Sequence, residues 1–184
     1  MILTIESDTA FLVAPGAKSR AAGYHYLSNK NNTIINGSIQ VLTKIAKVVL
    51  SSAAEAEIAA IYMNARLAIP MRITLEELGH KQPPTTIRTD NSTALGVLTG
   101  TVKQQRSRVM DMRWYWVKDR IEQGQFKLLW APGNTNFADY YSKHHSPTHH
   151  RITRPIWLHE SNSPTDMQGC IKILQSRDSR LKSP

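Results

Sequence analysis

Hydrophobic spacing changes period at Ser52, and that change restricts what the chain can fold into. Before it, residues 2–7 alternate apolar and polar, and residues 22–27 are aromatic and β-prone. Ile39, Val41, Thr43 and Ile45 recur at every second position, the repeat of a pleated strand. Pro15-Gly16 and Asn29-Lys30-Asn31-Asn32 separate these runs as turns, so the first third is predicted to be a three-stranded antiparallel meander. From Ser52 onward, Ile58, Ile61, Tyr62, Ala65 and Ile69 lie on one helical stripe, which Pro70 is expected to kink or end.

After the breaker Pro83-Pro84, strand and helix alternate. A short strand over 85–89 leads through Asp90-Asn91-Ser92 into a short helix ending near Leu98. An amphipathic helix is expected from about Arg108 to Glu122, with Val109, Met112, Tyr115, Trp116 and Ile121 as its apolar members. A strand over 126–130 and a short helix over 135–143 complete the pattern. The predicted fold class is therefore α/β, a mixed five-stranded sheet with three antiparallel strands first and helices on its faces. Beyond Lys143 the periodicity dissolves. Residues 1–145 are read as the domain and 146–184 as a flexible, basic, mostly irregular tail, with residues 156–158 free to dock. The histidines 144–145 and 149–150, set around Ser-Pro-Thr, read as part of that mobile segment rather than as a transition-metal site.

Composition bounds the partners. A chain of 184 residues buries enough apolar surface to fold without staples, and its single cysteine, Cys170, forms no intramolecular disulfide and matches no zinc spacing. A reducing interior, cytoplasmic or nuclear, is the default expectation. No apolar run approaches the roughly 18 residues of a membrane span, and residues 1–5 lack the basic start of a signal peptide, so neither membrane nor secretion is expected. The net charge of +9 favours a polyanion, nucleic acid first.

Against that charge the acids are scarce, which makes their positions informative. Asp8 closes the first strand, Glu57 lies in the first turns of the central helix, Asp90 closes the fourth strand, and Asp139 lies on the last helix. Strand ends and helix starts are where open sheets place their sites. Taken singly, each acid reads more readily as an N-cap or a solvated surface group than as a ligand. Ser52-Ala53-Ala54-Glu55 fits a capping box, which explains Glu55 and leaves Glu57 as the better ligand. Gathered carboxylates repel unless cations offset them, and an all-oxygen set suits Mg²⁺ or Mn²⁺ rather than zinc. Two such ions about 4 Å apart serve phosphodiester hydrolysis. Lys103, Arg106 and Arg108 are candidates for gripping phosphates, or else form a solvated basic helix start. Asn91 either contacts nucleic acid or caps the helix that follows it. Trp114 and Trp116 project to different helix sides, with burial the expectation for both.

Several segments, in order, resemble the ribonuclease H domain found C-terminal to reverse transcriptase in copia-type LTR retrotransposon polyproteins. They are Ser7-Asp8-Thr9-Ala10, residues 50–60 around Glu57, Leu75-Glu76-Glu77-Leu78-Gly79, Thr89-Asp90-Asn91-Ser92, Asp111-Met112-Arg113-Trp114-Tyr115, and Asn136-Phe137-Ala138-Asp139-Tyr140-Tyr141-Ser142-Lys143. The resemblance covers residues 2–145. It implies a ribonuclease H-like fold, cleavage of the RNA strand of RNA–DNA hybrids, and acidic positions at Asp8, Glu57, Asp90 and Asp139. It also implies two Mg²⁺ ions, the reverse transcriptase portion of the polyprotein as partner, and a cytoplasmic virus-like particle or the nucleus as location. Two departures stand out: Thr43-Lys44-Ile45-Ala46 replaces the family's Ser-Lys-Lys-Gln, and Pro132-Gly133-Asn134-Thr135-Asn136 lacks the loop histidine of cellular relatives. The rival readings are a decayed or host-recruited copy that binds nucleic acid without cleaving it, and an integrase, whose acid set lacks a counterpart of Glu57.

Overall fold

The computed structural model describes residues 1–31, 35–102 and 111–157. Five strands form one sheet: β1 (Ile2–Ala14), β2 (Lys18–Ser28), β3 (Ile35–Ile45), β4 (Thr85–Thr89) and β5 (Phe126–Trp130). Their order across the sheet is β3-β2-β1-β4-β5. The first three strands pair antiparallel, as expected of a meander, whereas β4 and β5 run parallel to β1. Gly16, at a φ of +72°, turns the chain between β1 and β2.

The helices are α1 (Ala53–Glu77), α2 (Ser92–Thr99), α3 (Asp111–Glu122), α4 (Asp139–Ser142) and α5 (Pro147–Trp157). Helices α1, α2 and α3 share the core on one face, where Leu3, Ile5, Ile87, Phe126 and Leu128 meet Ile58, Ile61, Leu98 and Val117. Short side chains at Ala56, Ala59, Ala60, Ala65 and Ala68 are buried, which brings α1 close to the sheet. On the opposite face α4 packs over β1, β2 and β3, with Phe137 and Ala138 against Ala22, Tyr24 and Tyr26. No helix among the described residues is long and apolar enough to cross a membrane.

Three local expectations need correction, and one is extended. Helix α1 does not end at Pro70 but continues to Glu77. A mid-helix proline costs about 3 kcal/mol, and the far half is held down by buried Leu75 and by Arg72, which donates to Pro83 O and Thr85 Oγ1 at 2.6 Å each. The box at the start of α1 extends to Ser51. Ser52 Oγ accepts from Glu55 N–H, as expected, and the Glu55 carboxylate accepts from the backbone and hydroxyl of Ser51. In α3, Met112 and Tyr115 are exposed and Val117 is the buried residue, while Trp114 and Trp116 both pack on the core. Lastly, residues 147–157 of the expected irregular tail form α5, and the histidines there gather around Tyr140. His145 stacks on it, and His150 Nδ1 lies 2.7 Å from its hydroxyl.

Candidate metal centre

β1 runs on past Asp8 to Ala14, so Asp8 does not close the strand as expected. It lies midway along β1, beside the point where the parallel strand β4 ends and Asp90 follows, and the two acids meet at that rim of the sheet. The α1 helix starts above that rim. Its first turns bring in Glu57, buried at 3% exposure. Carboxylate oxygens of Asp8, Glu57 and Asp90 all lie within 4.8 Å of one another, the one such group of three among the described residues. Asp139, the first residue of α4, stands outside this trio but close enough for its charge to act on Asp8.

The buried position has an electrostatic cost. Burial, followed by the charge of Asp8, pushes the Glu57 carboxyl up to about 8, against the hydrogen bond that Thr89 Oγ1 donates to Glu57 Oε1 at 2.9 Å. The Asp8 carboxyl is raised as well, by burial first and then by Asp139 and Asp90, while Ser142 and Lys143 oppose the shift. Ser142 Oγ donates to Asp8 Oδ2. Lys143 Nζ donates to Asp139 Oδ1 and lies 3.9 Å from Asp8 Oδ2. Burial alone would lower the Lys143 ammonium, but Asp139, Asp8 and Asp90 together raise it. Hard carboxylate oxygens pressed together in a partly buried site are a donor set that fits a divalent cation, which removes the mutual repulsion.

Neighbouring residues fix the carboxylates in place. Asn91 Oδ1 accepts from Ala94 N–H at 2.8 Å and so caps α2, the structural alternative of its two readings. Trp130 Nε1 donates to Asp90 O at 3.0 Å. Gly133 leaves room for the Asp90 side chain: a Cβ there would sit 2.5 Å from Asp90 Oδ2. The loop before Asp139 is held by Asn136, which donates to Ser7 O at 2.8 Å and accepts from Ala138 N–H at 2.9 Å. Sequence reasoning missed Asn136, Ser142, Lys143 and Glu6, a buried acid whose carboxylate takes the Phe137 N–H and pairs with Arg88 at 3.2 Å. The one signal available was the run Asn136–Lys143 itself, which carries three of the four. Lys103, Arg106 and Arg108 lie outside the described residues.

Comparison with known proteins places this geometry. No family model matches the chain. It is 27% identical over 111 residues, 60% of its length, to the retrovirus-related Pol polyprotein from transposon TNT 1-94 of Nicotiana tabacum, and spans 8% of that polyprotein. Its structure resembles the N-terminal RNase H domain of a Mycobacterium tuberculosis protein, at 12% identity and a TM-score of 0.54, covering 77% of this chain and 96% of that one. It also resembles LC11-RNase H1, isolated from compost by a metagenomic approach and solved in complex with RNA/DNA hybrid, at 10% identity and a TM-score of 0.55, covering 76% and 92% of the two chains. The chain therefore has the ribonuclease H fold and is similar in sequence to a retrotransposon polyprotein, in agreement with the resemblance of its motifs.

Proposed function

We propose that this ribonuclease H fold hydrolyses the RNA strand of RNA–DNA hybrids, as part of a retroelement's reverse transcription and beside the reverse transcriptase portion of a polyprotein. The observation that carries the reading is the convergence of Asp8, Glu57 and Asp90 at one rim of the sheet. In this reading those three residues would hold two Mg²⁺ or Mn²⁺ ions, with Asp139 as a fourth carboxylate if Lys143 releases it. Such ions supply Lewis acidity, lowering the pKa of water and offsetting charge on the leaving oxygen. The chain's own contribution is placement. Thr89 favours the ionised form of Glu57, Ser142 orients Asp8, and Gly133 admits Asp90. The net charge of +9 draws in the polyanionic substrate.

Strand choice tests the proposal. Purified protein with Mg²⁺ is expected to shorten labelled RNA paired with DNA and to leave duplex DNA intact. Equal cleavage of duplex DNA, or an intact hybrid under conditions where the folded protein binds Mn²⁺, would contradict it.

A further inference from the structure

The sheet face opposite α1 is only half covered. Helix α4 lies over β1, β2 and β3, and the outward side chains of β4 and β5 are open, with Lys127 exposed and Leu129 exposed at 41%. A groove of about 1080 Å³ lies along this open face. Thr4, Thr86, Arg88, Lys127 and Leu129 form its floor, and residues 28–31 and 79–84 form its sides. The volume stands at the upper end of what small-ligand sites occupy, about 300–1,000 Å³. Its lining carries Lys30, Lys81, Arg88, Lys127 and His80, and no acid. The nearest carboxylate behind the floor, Glu6, is buried at 1% and already paired with Arg88.

Strand register ties the groove to the metal centre. Thr4, Thr86 and Lys127 form one row across β1, β4 and β5, and Glu6, Arg88 and Leu129 the next. Two residues further along β1 and β4, about 6.7 Å per step, stand Asp8 and Asp90. The cationic floor thus leads straight into the carboxylate row. We propose that this groove is a track for the phosphodiester backbone of a single-stranded extension of the substrate, running from the carboxylates past Arg88 to Lys127, Lys81 and Lys30. The proposal rests on the hybrid-cleaving reading for the identity of its ligand. Three of its four permanent cations are lysines, flexible point charges that suit evenly spaced phosphates, whereas a groove for acidic peptide would favour the bidentate fork of arginine.

The test is fluorescence anisotropy with the full chain in Ca²⁺, comparing a blunt labelled hybrid with hybrids bearing about ten unpaired nucleotides at either end, within the usual span of one single-strand site. An overhang is expected to tighten binding about tenfold. The triple variant Lys30→Gln, Lys81→Gln, Lys127→Gln is expected to lose that gain and to reduce the salt slope for the overhang substrate by about 2, at about 0.7 per phosphate contact. Its affinity for blunt hybrid stays unchanged. No gain from either overhang in the unmodified protein overturns the proposal, as does equal weakening of blunt and overhang substrates in the variant. Displacement of the overhang by poly-glutamate as readily as by single-stranded DNA overturns the choice of nucleic acid over acidic peptide. Cleavage of the blunt hybrid, measured alongside, decides the underlying reading separately, because none of the three lysines touches the carboxylates.

Discussion

The ammonium of Lys143 lies 3.9 Å from Asp8 Oδ2 while it hydrogen-bonds Asp139 one helical turn behind it. A single side chain therefore offsets the charge of two of the four carboxylates proposed to hold metal, and under that proposal it must give way for Asp139 to join the other three.

Lys143→Met keeps most of the unbranched side chain and removes its charge. The variant is expected to bind Mn²⁺ about fivefold more tightly, about 1 kcal/mol, a modest figure because the Lys143 side chain is 45% exposed and partly screened. Its melting temperature without metal should fall. Titration by electron paramagnetic resonance checks this, and unchanged or weaker Mn²⁺ binding would show that Lys143 does not compete for the site.

Gly133→Ala addresses the room left for Asp90. The new methyl would lie 2.5 Å from Asp90 Oδ2, so the carboxylate must turn away from Asp8 and Glu57. Calorimetry should show Mn²⁺ affinity reduced about tenfold or more with circular dichroism unchanged, in line with the loss typical of disturbing a ligand's support. Wild-type affinity in this variant would mean that Asp90 is free to bind from another rotamer.

Stability without metal should depend on pH through Glu57. Its folded pKa of about 8 lies above its ordinary value of 4.5, so its contribution is fully present below about pH 4.5 and is lost as pH rises through 8. Glu6, raised by burial to about 7, acts with the same sign. His25 acts oppositely, because burial lowers it to about 4 and its contribution is lost as pH falls from 6.5. Thermal melts in chelator between pH 6.5 and 8.5 isolate the two carboxyls: the midpoint should drop with rising pH, and Glu57→Gln should flatten much of the slope. Saturating Mg²⁺ should remove the Glu57 part of the slope in the parent protein and leave that of Glu6. A midpoint that rises over this window would contradict the assignment.

Asn64 is the polar pin beneath the site. Its amide nitrogen donates to Ser7 Oγ and Ala22 O, and its oxygen lies 3.2 Å from His25 Nε2, all within the core. Gly23 makes the space, since a Cβ there would lie 1.8 Å from Asn64 Oδ1. Gly23→Ala should cost about 3 kcal/mol in urea unfolding by leaving buried polar groups without partners. A loss below about 1 kcal/mol would show that the core readily rearranges.

The parts of this structure that were legible in the sequence are those that local periodicity controls. Alternation marked the meander, and β4 and β5 begin and end where the Thr85–Thr89 and Phe126–Trp130 runs do, because turn residues bracket them. Asp90 was identifiable because it follows the end of β4 and Glu57 because it lies in the first turns of α1, whereas Asp8 was picked out on the expectation of a strand end that β1 in fact passes by six residues. Local spacing carries nothing about Glu6 meeting Phe137 or Ser142 meeting Asp8, contacts that span 131 and 134 residues. Pro70 misled for a related reason: its local cost is real, but the anchors of Arg72 are supplied by the next loop and strand. Ring stacking on Tyr140 holds His145, just before α5, and His149, within it, although composition alone reads these histidines as mobile.

The most direct test of the central claim is cleavage of a labelled RNA–DNA hybrid by the purified chain in Mg²⁺, in chelator, and in Mg²⁺ with Asp90→Asn. RNA-strand cleavage is expected in the first case only, with the variant reduced by a factor of at least about 1,000 because it loses a carboxylate proposed to hold the metal ions. Cleavage that survives both chelator and Asp90→Asn would contradict the claim that Asp8, Glu57 and Asp90 act by holding metal ions.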